Sequence, residues 1–436
     1  MRRLLCSTTQ GESDTHMARK LDRRTFIGAA AGAAGASALG PWSPVSLGHG
    51  KGKRNGKRIV PRDRLGLQQF AIRDSITRLD KSVMGNLGGP SFPGNAADIG
   101  PTVALPGGFA AVFEYLASVD YTGFEFFSFS NGANPALTPA EIRTALDNAG
   151  LKAAGTHTGG LAAMSDPVNG AANRQTQIDM AGILGYKMIG TAGNPANPTL
   201  GTLAAWQQYA EQANMVGAAF RAAGIKYFFH PEQDWFRFFD DPAHPELARV
   251  HRLDWFTDNT DRKLVNFEPD TMHTLAGRAR FPDPVDGRLF DVNAWYGRIA
   301  ADKRLIAWHA KDADRIIPLP PPGTNPFTQT RARPGFPLNG GIDVVYVGEG
   351  SISRGYPVDP DPEVIGYQDQ FDRFELSSPG WFHAESDSGP GPAATDPGRS
   401  LRWAKVSAEY LLNLREDDER EDCEDDDRGH GHHRGH

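Results

Sequence analysis

Four apolar, strand-like runs in the second half of the chain end in acids and histidines. YFF leads into His230-Pro231-Glu232, LVNF into Glu268-Pro269-Asp270-Thr271-Met272-His273, LIAW into His309-Ala310-Lys311-Asp312, and GWFHA into Glu385-Ser386-Asp387. Residues two apart in a strand face the same side, so His230 pairs with Glu232, Glu268 with Asp270, His309 with Lys311 and Glu385 with Asp387. If the runs are successive parallel strands, one member of each pair reaches a common mouth. Glu232, Asp270, His309 and Glu385 then form a mixed oxygen and nitrogen set suited to one divalent cation, Mn²⁺, Mg²⁺, Co²⁺ or Zn²⁺, with positions left for substrate oxygens. One strand-end acid alone is more often a helix cap or half of an ion pair. Four in register point to a site.

Elements that could hold such a mouth recur along the chain. Strand-like runs fall at Leu65–Phe70, Gly123–Phe129, Leu151–His157, Tyr186–Thr191, Ile225–His230, Lys263–Glu268, Arg304–His309 and Gly380–Glu385, with amphipathic helical segments after each. Thr138-Pro139-Ala140-Glu141 carries a helix-start signature, and Gly150, Gly185 and Gly224 sit where helices end before a strand. Eight alternating units predict a (β/α)₈ TIM barrel over residues 65–414. Two Pro-, Gly- and Asn-rich inserts, residues 73–108 and 313–361, follow strands one and seven and are candidate substrate-covering loops.

Several stretches resemble the xylose isomerase-like TIM barrels, specifically the sugar phosphate isomerase/epimerase family, over roughly Leu65 to Leu414. Gly66-Leu67-Gln68-Gln69-Phe70-Ala71-Ile72-Arg73-Asp74 is similar to the family's first-strand signature, and Tyr121-Thr122-Gly123-Phe124-Glu125 to its second-strand one. Gly150-Leu151-Lys152 running to His157, Ala223-Gly224-Ile225 running to His230, Asp270-x-x-His273, His309-x-Lys311-Asp312, Gly348-Glu349-Gly350 and Glu385-x-Asp387 follow in the family's order. The resemblance implies one divalent metal held by Glu232, Asp270, His309 and Glu385. It also implies that His157 and His273 bind substrate hydroxyls with Lys311 nearby. Glu125 and His230 join them as candidate substrate contacts, and Glu268 reads as a buried partner for a barrel cation. Exported relatives usually carry His-Asn-His after strand five, where this chain has His230-Pro231-Glu232, so His230 is the alternative ligand there.

The implied reaction is proton transfer beside the carbonyl of a keto-sugar or related polyol, through an enediolate, with Glu232 and Glu385 as base and acid. The same enediolate could expel a β-substituent, giving a dehydratase or lyase on an inosose or 3-keto-glycoside. A non-enzymatic alternative is an exported sugar-binding barrel. No organic cofactor is expected, and the absence of a phosphate loop favours an unphosphorylated sugar. The net charge of -7 owes much to ten acids between Glu416 and Asp427, so nothing suggests a nucleic-acid partner.

Residues 1–47 read as an N-terminal signal region: Asp22-Arg23-Arg24-Thr25-Phe26-Ile27 and then an Ala/Gly-rich apolar stretch to Leu39 resemble a twin-arginine signal, with Ala36-Ser37-Ala38 as a cleavage candidate. Residues 48–64 form a basic linker, and 415–436 an acidic, then His-rich tail expected to be disordered. The only cysteines, Cys6 and Cys423, offer no disulfide framework. The expectation is an exported protein whose partners are the twin-arginine machinery and a small sugar. Changing Arg23 and Arg24 together to Lys should retain the chain in the cytoplasm of a host with that machinery, read by cell fractionation; undiminished export would refute the signal.

Overall fold

Alternation in the strands decides which side chains enter the lumen. In the computed structural model, which describes residues 56–88, 100–133, 135–192, 201–316, 338–339, 342–358 and 360–416, eight parallel strands form the barrel wall. They are β1 (Leu65–Gln68), β2 (Gly123–Phe126), β3 (Lys152–Thr156), β4 (Met188–Ala192), β5 (Lys226–His230), β6 (Val265–Phe267), β7 (Ala307–Ala310) and β8 (Trp381–Ala384). The sheet order runs from β6 back through β5, β4, β3, β2 and β1 to β8 and β7. The signal region, most of the linker and the tail beyond 416 lie outside the described residues, as do parts of both long inserts.

Helices α1 (Gly108–Ser118), α2 (Pro139–Ala149), α3 (Gly170–Leu184), α4 (Leu203–Ala222), α5 (Arg252–Asn259), α6 (Thr271–Arg280), α7 (Val292–Ala301), α8 (Tyr367–Arg373) and α9 (Arg399–Leu411) follow in chain order. The start of α2 is the expected capping box, in which the Thr138 hydroxyl accepts from Glu141 N–H while the Glu141 carboxylate accepts from Thr138 N–H. Gly150 and Gly185 end their helices at φ of 72° and 90°, the left-handed conformation glycine adopts most readily. Helix α6 differs from expectation: Asp270 to His273 had read only as the tail of a strand, yet Asp270 caps a new helix by accepting from His273 N–H at 2.8 Å.

Outward-facing residues of several strands are aromatic and pack on the helices. Phe124 meets Phe113 of α1, Tyr227 meets Phe220 of α4, Phe267 meets Trp295 and Trp308 meets Tyr296, both of α7. Their neighbours in sequence face inward. The lower lumen is plugged by Ala154, Met188, Phe228, Ile306, Ala307 and Trp381, and the residues two further along β5, β7 and β8 are His230, His309 and His383. Glycines make room for this filling: a Cβ on Gly123 would lie 2.5 Å from the Trp381 ring, and one on Gly66 2.3 Å from His383.

The insert after β1 carries a two-stranded ribbon, Met84–Asn86 with Thr102–Ala104, and the insert after β7 a three-stranded one, Asp312–Ile316, Ile342–Val345 and Leu338–Asn339. Asp312 pins the second insert to the barrel, its carboxylate accepting from the N–H groups of Gly348 and Gly350 and from Ser353 Oγ. Residues 56–64, read above as the end of a linker, pack on the chain after α9: Ile59 N–H donates to Leu414 O and Glu416 N–H to Lys57 O. No helix among the described residues is long and apolar enough to cross a membrane.

The barrel closes between β6 and β7 through two isolated bridges, Phe267 with Leu305 and Asp270 with His309. Where the ladder is thin, the buried Arg304 guanidinium binds Val265 O at 2.8 Å, Thr257 O at 2.6 Å and Thr260 Oγ1 at 2.6 Å. Removing these donors strands acceptors away from water, so Arg304→Met should lower unfolding free energy by about 3 kcal/mol. Urea denaturation reads this; a loss indistinguishable from zero would remove Arg304 from the closure.

Candidate metal centre

All four strand-end clusters arrive at the C-terminal end of the barrel, where the loops after parallel strands build sites in this fold. His230 ends β5, Asp270 follows β6, His309 lies within β7 and Glu385 follows β8. One ligand atom from each of these four lies within 4.8 Å of the others, and all four residues are buried. Strand five thus contributes His230 to the group, not Glu232. The reason is local: Pro231 cannot extend the ladder, and Glu232 already heads a 3₁₀ turn, Gln233–Phe236, so strand parity stops at His230. Glu232 stays at the mouth, partly exposed. Its carboxyl is raised by burial and by Asp387 and Glu385, while His273 and Lys311 pull it the other way.

Among the described residues, Lys311 is the one ammonium in this assembly, and it is almost wholly buried. Its Nζ lies 3.2 Å from Asp270 Oδ2, 3.0 Å from Glu385 Oε1, 3.1 Å from Asp387 Oδ1 and 3.3 Å from His273 Nε2. Burial disfavours the charged amine, but Asp270, Asp387 and Glu385 outweigh it and hold Lys311 well above the ordinary lysine range. For Glu385 burial also acts against charge, and Lys311 and His309 overcome it, keeping the carboxyl well below its usual range.

Beneath this group lies a second tier. It comprises Glu125 on β2, His157 after β3, Glu268 after β6 and His383 on β8. His309 joins the tiers. Its Nδ1 contacts Glu385 Oε2, and its Nε2 lies 2.7 Å from Glu125 Oε2 and 3.2 Å from Glu268 Oε2. His157 stacks on His309 at 5.1 Å and reaches Glu268 Oε2 at 2.8 Å. Burial would lower its basicity, but Glu125 and Glu268 push His157 up to about 9. His230 shifts the other way, well below the usual imidazole value, through burial and then its neighbours His309 and His157.

Of the expected substrate contacts, the structure brings His273 and Lys311 beside the four-residue group, places His230 within it, and sets His157 and Glu125 in the enclosed tier below. Glu268 pairs with barrel imidazoles, as its reading as a cation partner implied. His383 was missed, although it stands two residues before Glu385 and the same period-two rule would have found it. Asp387, seen only as Glu385's partner, is one of the acids around Lys311.

The four upper residues fit a divalent cation on the chemistry of their atoms. Two imidazole nitrogens and two carboxylates form a borderline set, and His230 Nδ1 is buried with no hydrogen-bond partner. Carboxylates on the Nε2 side of His309 fix the ring so that Nδ1 faces the group, the usual support for a ligating histidine.

Fold and site together define a TIM barrel with a candidate metal centre at its C-terminal mouth. The chain belongs to the xylose isomerase-like TIM barrel family, whose model matches residues 113–406. No curated protein matches its sequence. Among solved structures, it is similar to a sugar phosphate isomerase/epimerase from Parabacteroides distasonis, with 15% identity, 80% of this chain and 94% of the other covered, and a TM-score of 0.47. A xylose isomerase-like TIM barrel protein from Mycobacterium smegmatis in complex with magnesium shares 15% identity, with 80% and 96% covered and a TM-score of 0.45. The IOLI protein with a bound zinc atom shares 10%, with 81% and 99% covered and a TM-score of 0.49.

If His230 and Asp270 ligate and Glu232 does not, His230→Gln and Asp270→Asn should each weaken Mn²⁺ binding more than about 100-fold, beyond what outer-sphere changes cost. Glu232→Gln should change it only a few-fold. Calorimetric titration decides, and the reverse ranking would restore Glu232 as the ligand.

Proposed function

We propose that the protein is a divalent metal-dependent isomerase or epimerase that moves a proton beside the carbonyl of a keto-sugar or related polyol. The observation that carries this reading is the convergence of His230, Asp270, His309 and Glu385 around a shared point, with the Lys311 ammonium against three neighbouring acids. These four residues would hold the cation, and Glu232 leaves the ligand role assigned to it from sequence. Bound there, a divalent cation would polarise the substrate carbonyl and offset negative charge on its oxygen. Lys311 would present a fixed positive charge to adjacent substrate oxygens, and His273 would donate to or accept from a hydroxyl.

Glu232 is the favoured base for the α-proton. Of the two mouth carboxylates outside the four-residue group, Asp387 is held by Lys311 at 3.1 Å, and the raised affinity of Glu232 for protons suits a group that must both take and return one. In an isomerase Glu232 would hand the same proton to the neighbouring carbon; in an epimerase Glu385, ionised at rest, would first take a proton from solvent at the mouth and deliver it to the opposite face. The lumen beneath is closed by the apolar plug, which confines the substrate to the mouth. The twin-arginine motif at Arg23-Arg24 supports a place of action outside the cytoplasm, where unphosphorylated sugars and glycosides are the available substrates.

The metal-loaded protein, incubated with a panel of keto-sugars in D₂O, should incorporate deuterium beside the carbonyl. Glu385→Gln should reduce exchange by at least about 10²-fold, the lower end for loss of a general acid or base. Exchange without any dependence on Glu385 would sink the assignment, and loss of water or an aglycone with no recovered isomer would make the enzyme a lyase.

A further inference from the structure

We propose that the barrel binds a second divalent cation, one tier beneath the mouth, between Glu125, Glu268, His309 and His383. Each of these residues offers a ligand atom within 4.8 Å of the others, and each side chain is 0% exposed. Three of the four separations suit a common ion. His309 Nε2 lies 2.7 Å from Glu125 Oε2 and 3.2 Å from Glu268 Oε2, and His383 Nδ1 lies 3.1 Å from Glu268 Oε1 and 3.7 Å from Glu125 Oε2. Donors held about 2.0–2.2 Å from one metal stand roughly 3–4 Å apart, so the 2.7 Å His309–Glu125 contact would open to admit the ion.

Charge gives the independent argument. Two carboxylates are enclosed in the lumen, and among the described residues their ion-pair partners are all imidazoles: His157, His230, His309 and His383. Lys311 serves the acids of the upper tier instead. Enclosed carboxylates need a compensating charge; imidazolium protons supply it in the metal-free network, and one divalent ion would replace them, with His383 a neutral nitrogen donor and His309, serving both tiers through Nδ1 and Nε2, a bridging imidazolate whose ring proton is released on binding. Glu125 Oε1 and His383 Nε2 are also buried without any hydrogen-bond partner, so the network as it stands does not satisfy its own polar atoms. The backbone makes space for the arrangement at Gly66, where any Cβ would strike the His383 ring.

His309 faces both sets, Nδ1 toward Glu385 and Nε2 toward Glu125, so occupancy of one tier would alter the ring that serves the other. The lower site does not depend on which reaction the mouth performs.

Co²⁺ titration tests this, with bound metal counted by elemental analysis and ligand-field absorption. The full-length chain would carry Ser in place of His430, His432, His433 and His436, so that the tail adds no imidazole. Two equivalents are expected, falling to one in Asp270→Asn and to one, with a different spectrum, in His383→Gln. Glu125→Gln should behave like His383→Gln, and circular dichroism checks that each variant folds. A parent chain that saturates at one equivalent, lost in Asp270→Asn and kept in His383→Gln, would overturn the lower site and leave the proposed function standing. No bound metal at all would overturn both.

Discussion

Charge compensation inside a closed barrel is the constraint on which this structure depends. A TIM barrel ordinarily fills its lumen with branched apolar side chains. Here the upper lumen holds Glu125, Glu268, Asp270 and Glu385 with almost no access to water. Desolvating even one unpaired carboxylate is costly enough that it would protonate or unfold the site. The chain answers with imidazoles and one lysine, and His309 is the residue through which the answers connect. With carboxylates at both ring nitrogens, it fixes the height of the mouth group above the lower tier.

The rest of the fold serves that arrangement. Aromatic residues on the outer faces of β2, β5, β6 and β7 anchor the strands to their helices, so the inward positions are free to be polar. The plug of Phe228, Met188 and Trp381 seals the lumen from below and keeps the dielectric low where the acids gather. Closure between β6 and β7 is the weak seam, and both strands deliver site residues, Asp270 and His309, that pair across it. Arg304 and the bridges of that seam therefore bear on the site as much as on stability. Asp312, next to Lys311, ties the insert after β7 to the barrel through Gly348, Gly350 and Ser353, and so holds the backbone that carries the lysine.

Period-two spacing made much of the site legible in sequence. It named both members of each strand-end pair, and the run of eight βα units placed them on successive strands. Helix signals at Thr138, Gly150 and Gly185 were read correctly because capping is local chemistry. Helix α6 was not, because Asp270 to His273 serves at once as a strand-end motif and as a helix cap, and the first role masked the second.

The sequence by itself determined the alternation of strands, the side of each strand that a residue faces, and the ionisable groups that reach the lumen, since all three follow from local periodicity. Tertiary structure decided the height of each group along the barrel axis, which strand register and tilt control. Height is why His230 and not Glu232 joins Asp270, His309 and Glu385 once Pro231 ends the strand. It is also why Glu125, His157, Glu268 and His383, scattered over four strands, form one tier beneath them.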